Sequence, residues 1–575
     1  MTTRRARLPL LSTVLLVLAA ASLVAGCGAW HDERQATFGF DFPPPAPDEG
    51  TSAIVFFVDG VSRDVFDRML ADGRLPMIKN YFVERGLYCE RCVANVPSVT
   101  LASETSFVTG LFPGHHGVTG NNWFDRNRVF WRDYEEVNQK NTLDGDYTAP
   151  TIFERLSDAT TMSLFFQAHR GATKFAENWM TAGPPYFFGW YGMVDRISLW
   201  RFDIVAHVAR ARGALPALTV AYLLAPDMEA YRSGVSSPDY EQALEHTDAH
   251  VGRVLRDLEA AGRLKNTVIV LTSDHGMGDV ARHWPIKKFL RDEVRLSMPE
   301  HAFADDIRFE NRLHYYRKFS CVLAGSGDRY WALYLRKPRA GAEEGAKPDF
   351  ENWLVRPSAD DLRAYPTRDG RRVDLIQHLR DAEAVDVVAY RPAVNRVHVV
   401  TKRGMAEITS GAVGLRTDRA ELPPSAAGAE TRRAPDTTGF AYRVIQGDDP
   451  LGYADALPPE MVLGKPHSPE AWLQATADTQ YPDLVPQIMA YFDAPRAGDI
   501  AVFAAPGWDF SHKYKAGHGG VRPADMTTVL LMAGPGVPHE RRKDAVRAVD
   551  VMPTLLELLG RPAPDNIDGR SILRK

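Results

Sequence analysis

Acids and histidines recur in this sequence directly after short apolar runs. Ala53–Val58 leads into Asp59-Gly60, Leu218–Leu224 leads into Ala225-Pro226-Asp227, and Thr267–Thr272 leads into Ser273-Asp274-His275-Gly276. A lone Asp after such a run usually caps a helix or opens a turn. Three of them, one with His beside it, suit the binding of cations, because carboxylate and imidazole together are good ligands for zinc and related ions. Thr100, in Pro97-Ser98-Val99-Thr100-Leu101, adds a hydroxyl, and Ala516-Gly517-His518-Gly519-Gly520 adds a late histidine. A threonine hydroxyl is a weak nucleophile near neutral pH because its proton is held tightly. Coordination to a cation favours the alkoxide, so no Ser-His-Asp relay is required. Two cations about 4 Å apart can hold the attacking and leaving oxygens of an in-line displacement.

The order of these segments resembles the alkaline phosphatase superfamily, in particular its type I phosphodiesterase/nucleotide pyrophosphatase branch. The resemblance rests on the Thr-Gly loop Phe107-Val108-Thr109-Gly110-Leu111-Phe112-Pro113-Gly114-His115-His116-Gly117-Val118, on Ser273-Asp274-His275-Gly276-Met277, on the late Gly517-His518-Gly519, and on Asp550-Val551-Met552-Pro553-Thr554-Leu555-Leu556. It covers about residues 50–280 and 495–570. It implies metal-dependent hydrolysis of a phosphoric ester, diester or monoester, through a phospho-threonine on Thr100 at a site holding two divalent metal ions, zinc by family habit. Asp59, Thr100, Asp274 and His275 match the ligands of one ion, and Asp227 and His518 match ligands of the second.

Two positions depart from the family pattern. Tyr231 stands where a His ligand is usual, which leaves the second ion short of a ligand unless Glu229, His246 or His250 substitutes. Ser103 stands where the diesterase branch often has Asn. Two other readings share the fold: a degenerate, catalytically weak binding protein, for which Tyr231 is the mark, and a phosphonate or sulfate ester hydrolase. Ser98-Val99-Thr100-Leu101-Ala102 is not the C/S-x-P-x-R box of sulfatases. Ser98 is an alternative nucleophile to Thr100. His115 and His116 are expected to be structural, and Lys513 and Lys515 to be solvated. The aromatic cluster Tyr186, Phe187, Phe188, Trp190 and Tyr191 offers a substrate wall or a lipid-facing patch, and is expected to be a buried packing segment.

The elements needed to position such a site are legible. Continuous apolar runs suit strands buried on both faces of a parallel sheet. Besides the three runs above, Thr528–Met532 leads into Gly534-Pro535-Gly536. Between them, Asp239–Ala260 carries Leu244, Val251, Val254, Leu255 and Leu258 at helical spacing. Alternating strands and helices predict an α/β fold: an alkaline-phosphatase-like core, a mostly parallel sheet with helices on both faces, plus a large insertion. Sites in such folds lie beyond the carboxyl ends of the strands, where Asp59, Asp227 and Asp274 fall. The expected division is core over 51–280, an insertion or cap over 281–496 with few buried strands, and core again over 497–575, resuming near Asp499–Phe503. Val397–Thr401 reads as a hairpin strand.

Composition fits an ordinary globular protein. The 575 residues are 45% hydrophobic and 25% charged, with a formal net charge of -5, so no basic field or acidic tail points to a nucleic-acid partner. Arg4, Arg5 and Arg7 precede an apolar stretch from Leu8 to about Ala25 that ends in Leu23-Val24-Ala25-Gly26-Cys27. That layout predicts a lipoprotein signal peptide over 1–26, lipidation at Cys27, and a protein tethered to the bacterial envelope, facing the periplasm or exterior. A transmembrane anchor is the competing reading. Residues 27–50, with Pro43, Pro44, Pro45 and Pro47, read as a Pro-rich tether. Cys89 and Cys92 form a lone C-x-x-C, read as a local disulfide or two buried thiols. Oligomeric state is not encoded in any pattern seen here.

Overall fold

The computed structural model describes residues 50–573, apart from 136–138, 177–178, 213–214, 301, 304–307, 340–345, 412–438 and 512. The signal, Cys27 and the tether lie outside the described residues. At the centre stands β1 (Ser52–Val58), buried along its whole length. Its side chains alternate between two hydrophobic clusters: Ala53, Val55 and Phe57 enter one, and Ile54, Phe56 and Val58 the other. This is what period-two side chains do in a strand covered on both faces.

β2 (Leu218–Leu223) and β3 (Thr267–Ser273) flank β1, both parallel to it. Beyond β2 lie Thr161–Leu164 and Lys174–Ala176, again parallel. On the other side β4 (Leu530–Ala533) pairs with β3 antiparallel, followed by Leu87–Cys89 and Glu540–Arg542, for eight strands in all. The run at Thr528–Met532 thus forms a strand, but an antiparallel one. Its apolar pattern reports burial on two faces and carries no information on direction.

Three helices position the site. α1 (Thr100–Thr109) follows the extended Val99 and stops at Gly110, whose left-handed φ of 69° ends the helix. α2 (Ala225–Ser233) begins directly after β2. α3 (Pro238–Ala260) starts at Ser237, whose hydroxyl accepts the Tyr240 N–H, and buries Leu244, Val251, Val254, Leu255 and Leu258 as the spacing predicts.

The stretch expected to be poor in buried strands holds most of a seven-stranded antiparallel sheet. Its order is Cys321–Ser326, Tyr330–Leu335, Ile500–Ala504, Val385–Ala393, Arg396–Val400, Gly404–Gly411 and Gly439–Gly447. Ile500–Ala504, expected to resume the first sheet, lies inside this second one. One face of the second sheet, with Val322, Ala324, Tyr330, Ala332, Val387 and Ala389, shares the hydrophobic cluster of Val55 and Phe57. The two sheets therefore stand on one continuous core. Cys89, Cys92 and Cys321 are all buried free thiols, not a disulfide.

Candidate metal centre and nucleophile

Asp59 follows β1, and its N–H donates to the Leu223 carbonyl at 2.9 Å, which fixes the end of β1 against the end of β2. Gly60 then turns with φ 66°, and a Cβ there would lie 2.8 Å from the Asp227 side chain. Glycine is required both for the turn and to let Asp227 approach. Asp227 sits in the first turn of α2, where the helix dipole favours a carboxylate. Asp274 closes β3, and its Oδ1 accepts the N–H groups of Gly60 at 3.1 Å and His275 at 3.0 Å. The Tyr222 hydroxyl donates to Asp59 Oδ2. All three aspartates are buried.

His275 and His518 stack with ring centroids 3.6 Å apart and planes 9° apart. His275 Nδ1 faces the Gly276 carbonyl at 3.0 Å, and His518 Nδ1 faces the Ser98 carbonyl at 2.8 Å. A carbonyl only accepts, so each Nδ1 carries the proton and each Nε2 presents a lone pair. Burial also keeps the rings neutral. It drives the His275 pKa down to about 3, and with His275 as neighbour it holds His518 well below the ordinary value.

These lone pairs point at other lone pairs. His275 Nε2 lies 3.2 Å from Asp274 Oδ2, 3.4 Å from Asp59 Oδ1 and 3.3 Å from Thr100 Oγ1. His518 Nε2 lies 4.0 Å from Asp227 Oδ1. Asp59 Oδ1, Asp227 Oδ1 and Asp274 Oδ2 are buried with no hydrogen-bond partner. Burial raises the pKa of all three carboxyls, and mutual repulsion adds to the rise for Asp59 and Asp227. Buried acceptors facing one another in this way are stabilised by cations. The ligand atoms fall into two triads, Asp59/Asp274/His275 and Asp227/His275/His518, each with its atoms within 4.8 Å of one another. The donor set fits divalent ions of the zinc type at the first triad.

Thr100 is the first residue of α1, half-buried, with its hydroxyl toward His275. Ser98 is fully buried, and its hydroxyl donates to the Gly520 carbonyl at 2.9 Å. Its carbonyl orients His518. Ser103 is enclosed within α1, its hydroxyl 3.4 Å from Asn95 Nδ2. Tyr231 packs its ring 4.7 Å from Tyr514 and 5.8 Å from His518. Burial and then the charges of Asp227, Asp328 and Glu135 hold its phenol well above the ordinary value, so it stays neutral. Glu229 is engaged by Arg232 at 2.5 Å. Neither Glu229, His246 nor His250 enters a ligand triad among the described residues.

His115 binds Asp568 at 2.7 Å and Asp493 at 3.3 Å, and His116 binds Ser106 at 3.0 Å, which are structural roles. Lys513 and Lys515 are exposed. The aromatic cluster is not a buried segment: Tyr186 and Tyr191 pack inward, while Phe187, Phe188 and Trp190 face outward. The apolar composition could not distinguish the two.

Sequence reasoning missed Asn121, whose Oδ1 accepts the Leu101 N–H at 3.0 Å and whose amide reaches Glu135 at 3.1 Å, beside Thr100. The polar pair Asn121-Asn122 after the Thr-Gly loop was the available signal. It also missed Asp328 and Arg329, from the second sheet. The Arg329 N–H donates to the His518 carbonyl at 3.0 Å, and the Arg329 guanidinium binds Asp525 at 3.0 Å.

The sequence profile of the family "Type I phosphodiesterase / nucleotide pyrophosphatase" matches residues 53–377. The chain belongs to that family. Within the type I phosphodiesterases, it is 25% identical over 280 residues to an ectonucleotide pyrophosphatase/phosphodiesterase of Caenorhabditis elegans, covering 46% of this chain and 34% of that protein. It is 22% identical over 278 residues to ectonucleotide pyrophosphatase/phosphodiesterase family member 1 of Homo sapiens, covering 45% and 26%. The chain thus spans about a third or less of the length of these curated relatives. The structure of murine ectonucleotide pyrophosphatase/phosphodiesterase 5 superimposes with a TM-score of 0.52 at 15% identity, covering 90% of this chain and 97% of that one. The fold is therefore that of this phosphodiesterase family, a branch of the alkaline phosphatase superfamily.

Proposed function

We propose that the protein hydrolyses a phosphoric ester, with Thr100 as nucleophile. The observation that carries this reading is the set of unprotonated Nε2 and orphaned carboxylate atoms converging beside the Thr100 hydroxyl. Asp59, Asp274, His275 and Thr100 would hold one divalent ion, and Asp227 and His518 a second. Ions held there would neutralise phosphoryl charge and favour the Thr100 alkoxide.

The residues of the chain do the rest. Thr100 Oγ1 forms a bond to phosphorus as the ester oxygen leaves as an alcohol, taking up a proton. Water then attacks phosphorus, Thr100 is released, and phosphate or a phosphomonoester departs. The positive end of the α1 dipole, at Thr100, favours the anionic phosphoryl group. Asn121 holds the Leu101 amide and so steadies the turn that carries Thr100. Tyr222 and the Gly60 amide hold Asp59 and Asp274 in place.

Hydrolysis of a chromogenic phosphodiester and of the matching monoester, with added zinc, tests this directly. Turnover by the wild type and a loss on the order of a thousandfold or more in Thr100→Ala is expected. Equal activity in both proteins removes Thr100 from the reaction. The faster ester assigns diesterase or phosphatase. The neutral Tyr231 favours a second reading, a weakly catalytic binder with one well-held ion, and measured metal content separates the two.

The signal, the tether and lipidation at Cys27 are likewise proposed, on the Arg4–Cys27 pattern. Mass spectrometry of membrane-extracted protein should find an acylated Cys27 at the N-terminus, and an unmodified Cys27 overturns it.

A further inference from the structure

Helix Trp179–Phe187 meets helix Tyr191–Arg212 in a tight corner. Phe187 is 85% exposed, Phe188 64%, Trp190 57% and Met193 48%. Elsewhere among the described residues, exposed large apolar side chains occur singly or in pairs. The corner is well made. Gly189 turns with φ 74°, and the N–H groups of Phe188, Gly189 and Trp190 donate to the carbonyls of Pro184, Tyr186 and Pro185 at 3.1, 3.1 and 2.8 Å. Beneath it, Tyr186 and Tyr191 pack against Phe165, Ala182, Val194, Leu224 and Met228. A hydrogen-bonded turn on a packed base holds these aromatics outward. An exposed cluster of this kind marks a surface that something covers.

Its place in the fold narrows what that is. Leu224 and Met228 bracket Asp227 in sequence, so the corner stands at the same end of the sheet as the candidate site. Arg232, paired with Glu229 at 2.5 Å and Asp239 at 3.4 Å, reaches from α2 to the Gly189 carbonyl at 3.5 Å, and Arg196, one turn after Met193, is exposed and adds a cation at the corner. Lys513 is exposed at the same rim: its ammonium lies 4.8 Å from the centre of the Tyr514 ring, which in turn lies 4.7 Å from Tyr231. Trp, Phe and Met with Arg and Lys around them are the composition of a bilayer interface. Rings enter the boundary between headgroups and acyl chains while cations meet anionic headgroups.

We propose that the corner Phe187–Met193 docks on an anionic phospholipid bilayer and turns the candidate site toward the headgroups. Docking does not depend on the hydrolytic reading, so either can fail alone. The test reconstitutes the full chain on vesicles of dibrominated phosphatidylcholine with phosphatidylglycerol and reads tryptophan quenching. The difference between wild type and Trp190→Phe is the share due to Trp190, and it is expected to be the largest single contribution. Phe187→Ser with Phe188→Ser should reduce quenching at Trp190 at least about twofold, as should omitting phosphatidylglycerol. Both variants change exposed side chains, and an unaltered thermal midpoint checks their fold. Equal quenching in wild type and Trp190→Phe overturns the proposal. So does a concentration-dependent dimer that the Phe187→Ser/Phe188→Ser chain no longer forms, since a second copy would then be the occupant.

Discussion

At the scale of single residues, the site gathers buried carboxyls and imidazole lone pairs that a bound cation would stabilise. Three buried carboxyls repel one another, so chelation should lower stability. Conversely, an ion at a hundredfold excess over its Kd stabilises by about 3 kcal/mol, read as a rise in thermal midpoint after metal is restored to chelated protein. Tyr231→His should raise the metal bound per chain toward a second equivalent, measured by elemental analysis. No gain would mean that Tyr231 is not what limits the second position. His115 gives a pH dependence away from the centre. Burial pulls its pKa down, but Asp568 and then Asp493 outweigh burial and leave it at about 8. A folded value above the unfolded one stabilises fully below about pH 6.5, and the gain is lost as pH rises through 8. It amounts to about 2 kcal/mol, and His115→Asn should flatten denaturation midpoints over that window. Asp59, Asp227, Asp274, His275 and His518 were legible because each closes a strand or sits in a distinctive glycine-flanked motif. Asn121 and Tyr222 were not, because their roles depend on which backbone or carboxylate they meet across the fold.

At the scale of elements, the segment 281–496 is bound to the rest of the fold by buried ion pairs. Arg547 grips Asp483 through two bonds of 2.6 and 2.8 Å, both side chains buried. Asp483 opens the helix Leu484–Asp493, which packs against the His115–His116 turn. Arg547→Met would leave a buried carboxylate unpaired and should cost about 3–5 kcal/mol in chemical denaturation, and adding Asp483→Leu should recover most of it. No recovery would mean that the arginine matters through its bond to the Pro469 carbonyl instead. The same elements show why strand reading succeeds only in part. β1, β2 and β3 announce themselves as apolar runs ending in acids, whereas the direction of β4 and the sheet that Ile500–Ala504 joins are settled by pairing over hundreds of residues. Nothing local in Ile500-Ala501-Val502-Phe503 distinguishes one sheet from the other.

At the scale of the whole molecule, the second sheet is part of the site's foundation. Arg329 and Gly327 hold the backbone of His518, and one hydrophobic cluster runs under both sheets. Excising 281–496 should therefore abolish cooperative folding rather than yield a smaller enzyme, and a soluble product with a sharp unfolding transition would refute this. The buried thiols carry a last consequence. Burial raises the pKa of Cys89 to about 12 and holds that of Cys92 well above the ordinary thiol value, so neither forms the thiolate that attacks a disulfide or an alkylating agent. Structure in the described part of the chain owes nothing to oxidation. The protein should mature without an oxidase or isomerase, keep its thermal midpoint in dithiothreitol, and resist iodoacetamide until it unfolds, which makes these cysteines silent reporters of opening.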